Sequence, residues 1–213
     1  MATLIVLAYN EEKNLESTLS EVSNNFDEVI IVNDGSKDKT QEILNKLEKQ
    51  YKNLQIINNK KNNGAGKSFQ IAINEFLNSD SEYFIKIDGD GQMEPSLIPK
   101  FIEPISQYQA DYTKGNRFYH IPDLGNMPFT RLFGNAALSF ITKLSSGYWN
   151  NFDPTNGYTA IQASLIPLLL PEKISNDYFF ESDMLFIQNH VTCNAPPKPI
   201  KCRICAVRHH VYA

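Results

Sequence analysis

Short, mostly apolar runs, each reaching an Asn or Asp within two residues of its end and followed by a segment with helical spacing, recur through the first half of the chain. They lie at residues 4–8, 29–32, 54–57 and 83–87. An apolar run that does not alternate with polar residues suits a strand buried on both faces, as in a parallel sheet covered by helices. The segments between the runs supply those helices. Leu15, Leu19 and Val22 recur at spacings of four and three, Ile43, Leu44 and Leu47 mark a second helix, and a third segment runs from Phe69 to Leu77. Pro95 stands where a fourth helix would begin. Strands alternating with helices predict an open, mostly parallel α/β sheet.

The length of 213 residues and a hydrophobic content of 42% are enough for one continuous core, so a single domain is expected. After about residue 110 the alternation becomes irregular, broken by Pro122, Pro128 and Pro154. Within that half, Phe129, Leu132, Phe133, Ala136, Ala137, Phe140, Ile141 and Leu144 fall on one helical face. This face is expected to pack into the core rather than lie on a membrane surface, two outcomes that apolar spacing alone does not separate.

Charge and cysteines exclude several classes. The net charge is −4 and the Lys and Arg residues are scattered, which gives no footprint for a phosphate backbone, so nucleic acid is not an expected partner. No apolar stretch approaches the ~18 residues of a membrane span. No basic leader with a cleavage site opens the chain, and the expected location is cytoplasmic. Cys193, Cys202 and Cys205 all sit near the C-terminus and cannot staple the body of the fold. A zinc reading of Cys202-x-x-Cys205 with Cys193 and His209 or His210 is weak without a second well-spaced pair.

In open α/β sheets, ligands bind beyond the carboxyl ends of the strands. Here those ends carry Tyr9-Asn10-Glu11, Asn33-Asp34 and Asp88-Gly89-Asp90. Any one of these clusters serves equally well as a turn, but three at strand ends on one edge point to a site. Asp88 and Asp90 offer oxygen ligands to a hard cation, Mg²⁺ or Mn²⁺, which would stabilise charge on a departing diphosphate. The stretch Gly64-Ala65-Gly66-Lys67-Ser68 is not a P-loop, because the glycine required five residues before Gly66 is Lys61. Its amides and Lys67 remain candidates for approaching a nucleotide. No Gly-x-Gly-x-x-Gly follows the first strand.

Three motifs in this order carry a resemblance: Ala8-Tyr9-Asn10-Glu11-Glu12, Val32-Asn33-Asp34-Gly35-Ser36-Lys37-Asp38 and Asp88-Gly89-Asp90-Gly91-Gln92. They resemble the family 2 glycosyltransferases of the GT-A (Rossmann-like) fold, in particular the branch of dolichol-phosphate mannose synthases and polyprenyl-phosphate glycosyltransferases. The resemblance implies a domain over residues 1–187, with a nucleotide-sugar half at 1–110 and an acceptor half at 111–187. It places Ala8, Tyr9, Asn10, Glu11, Asp34, Lys67, Asp88, Gly89, Asp90 and Gln92 about the donor, with Asp88 and Asp90 on the metal. Arg117 and Arg131 would face the acceptor or the diphosphate, Thr155 and Asn156 would lie on the acceptor loop, and Asp183, then Glu181, would be the catalytic base. The base is needed only where the acceptor is a hydroxyl, because an acceptor phosphate is already ionised.

The function so implied is inverting transfer of a sugar from a UDP- or GDP-sugar to a polyprenyl phosphate or a glycan hydroxyl, with peripheral membrane association. Two alternatives stand beside it, an inactive nucleotide-sugar-binding module and a nucleotidyltransferase. The latter requires a basic Gly-rich loop after the first strand, where this chain has Asn10-Glu11-Glu12. Residues 188–213 read as an irregular tail, truncated or altered relative to the family.

Overall fold

The computed structural model describes residues 1–22, 25–116, 129–147, 149, 153–169, 173–177, 179–185, 187 and 202–206. Seven strands, β1 (Ala2–Ala8), β2 (Glu28–Asn33), β3 (Leu54–Asn58), β4 (Tyr83–Asp88), β5 (Tyr112–Asn116), β6 (Thr159–Gln162) and β7 (Cys202–Ala206), form one sheet in the order β3-β2-β1-β4-β6-β5-β7. β1 lies parallel between β2 and β4, with Val6 opposite Ile31 on one side and Ile87 on the other. β6 is antiparallel to both β4 and β5, so the sheet is mixed but mostly parallel.

The helices α1 (Leu15–Val22), α2 (Thr40–Gln50), α3 (Ala65–Phe76) and α4 (Ile98–Ser106) follow β1 to β4 in turn, and a longer α5 (Phe129–Ser146) follows β5. Strand alternation divides the core. Leu4, Val6, Val29, Ile31, Ile85 and Ile87 pack with α1, α2 and α4 on one face, while Ile5, Leu7, Ile30, Val32 and Phe84 pack with α3 and with Phe180, Met184, Leu185 and Ile187 on the other. The uninterrupted apolar runs reflect this two-sided burial. Phe69 meets Phe84 edge-on at 5.7 Å between ring centroids and Phe180 at 5.0 Å. Burying each such ring stabilises the fold by roughly 1.5–3 kcal/mol and fixes the helical residues 180–185 against the sheet.

Two sequence expectations need correction. On α5 the described part of the predicted core face is exposed: Phe140 by 56%, Ile141 and Leu144 each by 61%. Ser139, Thr142 and Lys143 are buried instead. Periodicity located the apolar stripe but carried no information about which face of the helix is covered. Within the tail expected to be irregular, Cys202–Ala206 forms β7, parallel to β5 with Lys114 opposite Ile204. An edge partner already in place orders a segment whose own pattern is too short to show a period.

Candidate functional site

A cavity of about 470 Å³ opens beyond the carboxyl ends of β1 and β4. One part of its wall is built by the turn after β1, by Asp34 after β2 and by the Asp88-Gly89-Asp90 turn after β4. Leaving β1, the chain passes Asn10 at φ 59°, a left-handed position that Asn tolerates. The Asn10 carbonyl Oδ1 accepts from the Lys37 amide at 2.8 Å, and the Asn10 amide donates to Ser36 Oγ at 2.9 Å. Asn10 therefore joins the first two loops and lies off the cavity wall, while Ala8, Tyr9 and Glu11 line it.

Asp34 is buried and is engaged on both oxygens. Oδ1 accepts from Asn59 Nδ2 at 2.8 Å and the Asn63 amide at 3.0 Å, and Oδ2 accepts from the Gly64 amide at 2.9 Å. It thereby pins the Gly-containing loop against β2. At the start of α3, a Cβ on Gly66 would collide with the backbone of Ser175 and come within 2.8 Å of Asn176, so only glycine allows this close approach. The Lys67 amide donates to Asn176 O at 3.2 Å. The Lys67 ammonium meets Gln70 Oε1 at 3.0 Å on the exposed side, off the cavity.

A further part of the wall comes from Thr155, Gly157, Asp177, Phe180 and Glu181. Behind it lies a buried ionic chain. Lys86 Nζ is 2.8 Å from Asp88 Oδ1 and 2.9 Å from Glu181 Oε1, and Lys114 Nζ is 3.0 Å from Glu181 Oε2 and donates to the Asn156 carbonyl. Burial disfavours the Lys86 ammonium, but Asp88 and Glu181 outweigh it and hold its pKa above the usual lysine range. Burial likewise pushes the Glu181 carboxyl up, and Lys114 and Lys86 outweigh it, leaving the pKa below the usual carboxylate range. At Gly157 a Cβ would run into Lys86 Nζ and lie 2.6 Å from Asp88 Oδ2.

At the cavity mouth the balance reverses. Burial raises the pKa of Asp90, and Asp88 adds to the effect against the opposing Gln92 amide bond. Glu11 is raised first by burial and then by the charges of Asp90, Asp88 and Asp38, against a hydrogen bond from Asn14. An oxygen-only set with excess negative charge fits a hard cation. Among the described residues, no three His, Cys, Asp or Glu side chains are already gathered to hold one.

The remaining predicted residues fall elsewhere. Gln92 is exposed, and its amide donates to Asp90 Oδ1 at 3.0 Å. Asn156 is buried behind the wall, donating to Asp153 Oδ2 at 3.1 Å and accepting from the Tyr158 amide at 2.9 Å. Asp183 is off the cavity, where Oδ2 accepts from the Ser175 amide at 2.9 Å. Arg117 and the Arg131 side chain lie outside the described residues. Sequence reasoning missed Lys86, Lys114 and Asp177. The signal for the first two was present, as each is a lysine inside a strand that is otherwise poor in charge.

The family model for Glycosyl transferase family 2 matches residues 3–168. The chain is 33% identical over 211 residues to the UDP-N-acetylglucosamine–dolichyl-phosphate N-acetylglucosaminyltransferase of Methanococcus voltae, covering 93% of this chain and 84% of that protein. It is 28% identical over 176 residues to the dolichol-phosphate mannosyltransferase of Pyrococcus furiosus, covering 77% of this chain and 47% of that one. A solved mannosyltransferase from Pyrobaculum calidifontis, in complex with GDP-Man and Mn²⁺, superposes with a TM-score of 0.63 at 14% identity. That superposition covers 97% of this chain and 56% of the solved one, and at such identity it speaks for the fold alone. With the strand-end cavity in place, the family match over most of its length and a GT-A neighbour spanning nearly all of it, the chain belongs to glycosyltransferase family 2 and has the GT-A fold.

Proposed function

We propose that the chain transfers a sugar from a UDP- or GDP-sugar to a polyprenyl phosphate, with inversion at the anomeric carbon. The observation that carries this reading is the state of the acidic motif. Both Glu181 oxygens are held by buried lysines, and Asp183 is turned away to the Ser175 amide. A carboxylate with its pKa held low by two ammonium groups is a poor general base. An acceptor phosphate needs none, since its oxygen is already ionised near pH 7. The acceptor oxygen bonds to the anomeric carbon as the bond to the donor diphosphate breaks on the opposite face, and the electron pair leaves with the diphosphate.

The described side chains divide this work between them. Tyr9 and the loop pinned by Asp34 flank the nucleotide, Asp88 and Asp90 face the diphosphate end, and Thr155 with Gly157 forms the floor toward the acceptor. Asp90 with Asp88 or Glu11 would hold Mg²⁺ or Mn²⁺, which supplies charge stabilisation to the leaving diphosphate when bound. The donor and lipid acceptor named for the Methanococcus relative support trying a UDP-sugar and dolichyl phosphate first. No helix of the described residues is long and apolar enough to cross a membrane. The exposed Phe140, Ile141 and Leu144 instead suit a chain that works against a lipid surface from outside it.

The test is transfer from UDP- and GDP-sugars to polyprenyl phosphate and to the unphosphorylated polyprenol, with and without Mn²⁺. Product is expected with the phosphate alone. Equal transfer to the alcohol would sink the acceptor assignment. Asp90→Ala is expected to weaken Mn²⁺-dependent binding of the nucleoside diphosphate at least about tenfold by calorimetry.

A further inference from the structure

Lys86 occupies an unusual place for a lysine. It is two residues before Asp88 on β4, so the two side chains leave the strand on the same face. It is 2% exposed and closed in on three sides, by Asp88 Oδ1 at 2.8 Å, Glu181 Oε1 at 2.9 Å and the Phe180 ring, whose centroid is 5.1 Å away. Its side chain leaves the sheet on the face away from Ile85 and Ile87, and Glu181 already has a second buried partner in Lys114. What the ammonium does is occupy one oxygen of the first aspartate of the Asp88-Gly89-Asp90 turn and cancel much of its charge.

That cancellation bears on the cation. A Mg²⁺ or Mn²⁺ ion asks for about six oxygen ligands. With Asp88 and Glu181 paired to lysines and Asp34 bonded to its own loop, Asp90, Glu11 and Asp177 are the carboxylates of the cavity wall left to attract it, and no three-ligand group is assembled among the described residues. The missing anionic oxygens match what a nucleoside diphosphate carries. We infer that Lys86 is a positioning residue which makes cation binding conditional on the donor: by holding Asp88 in an internal ion pair, it leaves the empty cavity a weak cation site that the diphosphate completes.

The alternative, a lysine that only fills space and satisfies Glu181, makes a different forecast. Losing a purely structural lysine would weaken cation and nucleotide binding together. Losing a lysine that masks Asp88 strengthens binding of the bare cation, because a positive charge within a few ångströms is removed and an Asp88 oxygen is released. Binding of the cation by the chain alone then rises while its enhancement by nucleotide falls.

The inference rests on the proposed donor site, and the experiment separates the two. Mn²⁺ is titrated into the unmodified chain, Lys86→Met and Lys86→Arg, each with and without UDP or GDP, and free Mn²⁺ is read by electron paramagnetic resonance while circular dichroism reports folding. In the unmodified chain, nucleotide is expected to tighten Mn²⁺ binding by about thirtyfold or more. In Lys86→Met, bare Mn²⁺ binding is expected to tighten about tenfold, and in Lys86→Arg to stay within about threefold of the unmodified chain. Unchanged or weaker bare Mn²⁺ binding by a folded Lys86→Met overturns the inference. If that variant does not fold, the unmodified chain decides, and equal Mn²⁺ affinity with and without nucleotide overturns it. Absence of any UDP or GDP binding at saturating Mn²⁺ would instead remove the donor site itself.

Discussion

At the scale of single residues, the acidic motif shows how position in space assigns roles that position in sequence does not. Asp183 and Glu181 are two apart on a helical stretch, and the helical turn sends them to different surroundings. Asp183→Asn keeps a carbonyl oxygen for the Ser175 amide, so transfer to polyprenyl phosphate is expected within about threefold of the unmodified chain. A loss beyond about a hundredfold with donor binding intact would restore Asp183 as a base and a hydroxyl as the acceptor. Gly157 makes the opposite point, because there it is the absent atom that matters. Gly157→Ala places a methyl group against Lys86 and Asp88, and is expected to cost about 1–3 kcal/mol of stability and most of the donor affinity, measured by urea unfolding and calorimetry.

At the scale of elements, α5 is where a sequence pattern and a tertiary arrangement part company. Its apolar stripe is real, but the described part of that stripe faces outward, and Ser139, Thr142 and Lys143 are the residues that are buried. An exposed set of large apolar side chains on one helix is expected to have a partner. Replacing Phe140, Ile141 and Leu144 together by Ser should lower co-sedimentation with lipid vesicles about tenfold while leaving binding of nucleoside diphosphate and thermal stability unchanged. A fall in stability with vesicle binding unchanged would return this face to the core. β1, β2 and β4 behave as their patterns imply and are buried on both faces, and α1 and α3 each bury one stripe, whereas β3 at the sheet edge is only partly buried.

For the whole molecule, the buried chain Asp88-Lys86-Glu181-Lys114 ties β4 and β5 to the helical residues 180–185. Removing one member of a buried pair costs about 3–5 kcal/mol, because its partner stays buried and uncompensated. Glu181→Gln is therefore expected to lose about 3 kcal/mol at pH 7, by urea unfolding. The pH dependence follows from the direction of the shift. Glu181 has a lowered pKa in the folded state, so its contribution is complete above the ordinary carboxylate value, about 4.3, and is lost as pH falls through the folded value. The gap between Glu181→Gln and the unmodified chain should therefore narrow below about pH 4. Lys86, shifted up, contributes fully below the ordinary lysine value of about 10.4, so the same gap should stay constant from neutral pH to about pH 9.

The sequence alone was enough for the class of fold and for the edge on which the cavity opens. Continuous apolar runs permit two-sided burial and little else, and a parallel sheet sends its polar loops to one end. It was also enough to bring Tyr9, Glu11, Asp34, Asp88 and Asp90 to that edge, because each closes a strand already legible as a strand. The tertiary structure alone decided which carboxylates are free and which are spent. Lys86 and Lys114 reach Glu181 from residues 95 and 67 positions away, and Asp34 turns to the backbone of residues 63 and 64. Such pairings depend on distances between elements that no local pattern encodes, and electrostatic energy depends on those distances and on burial rather than on order along the chain.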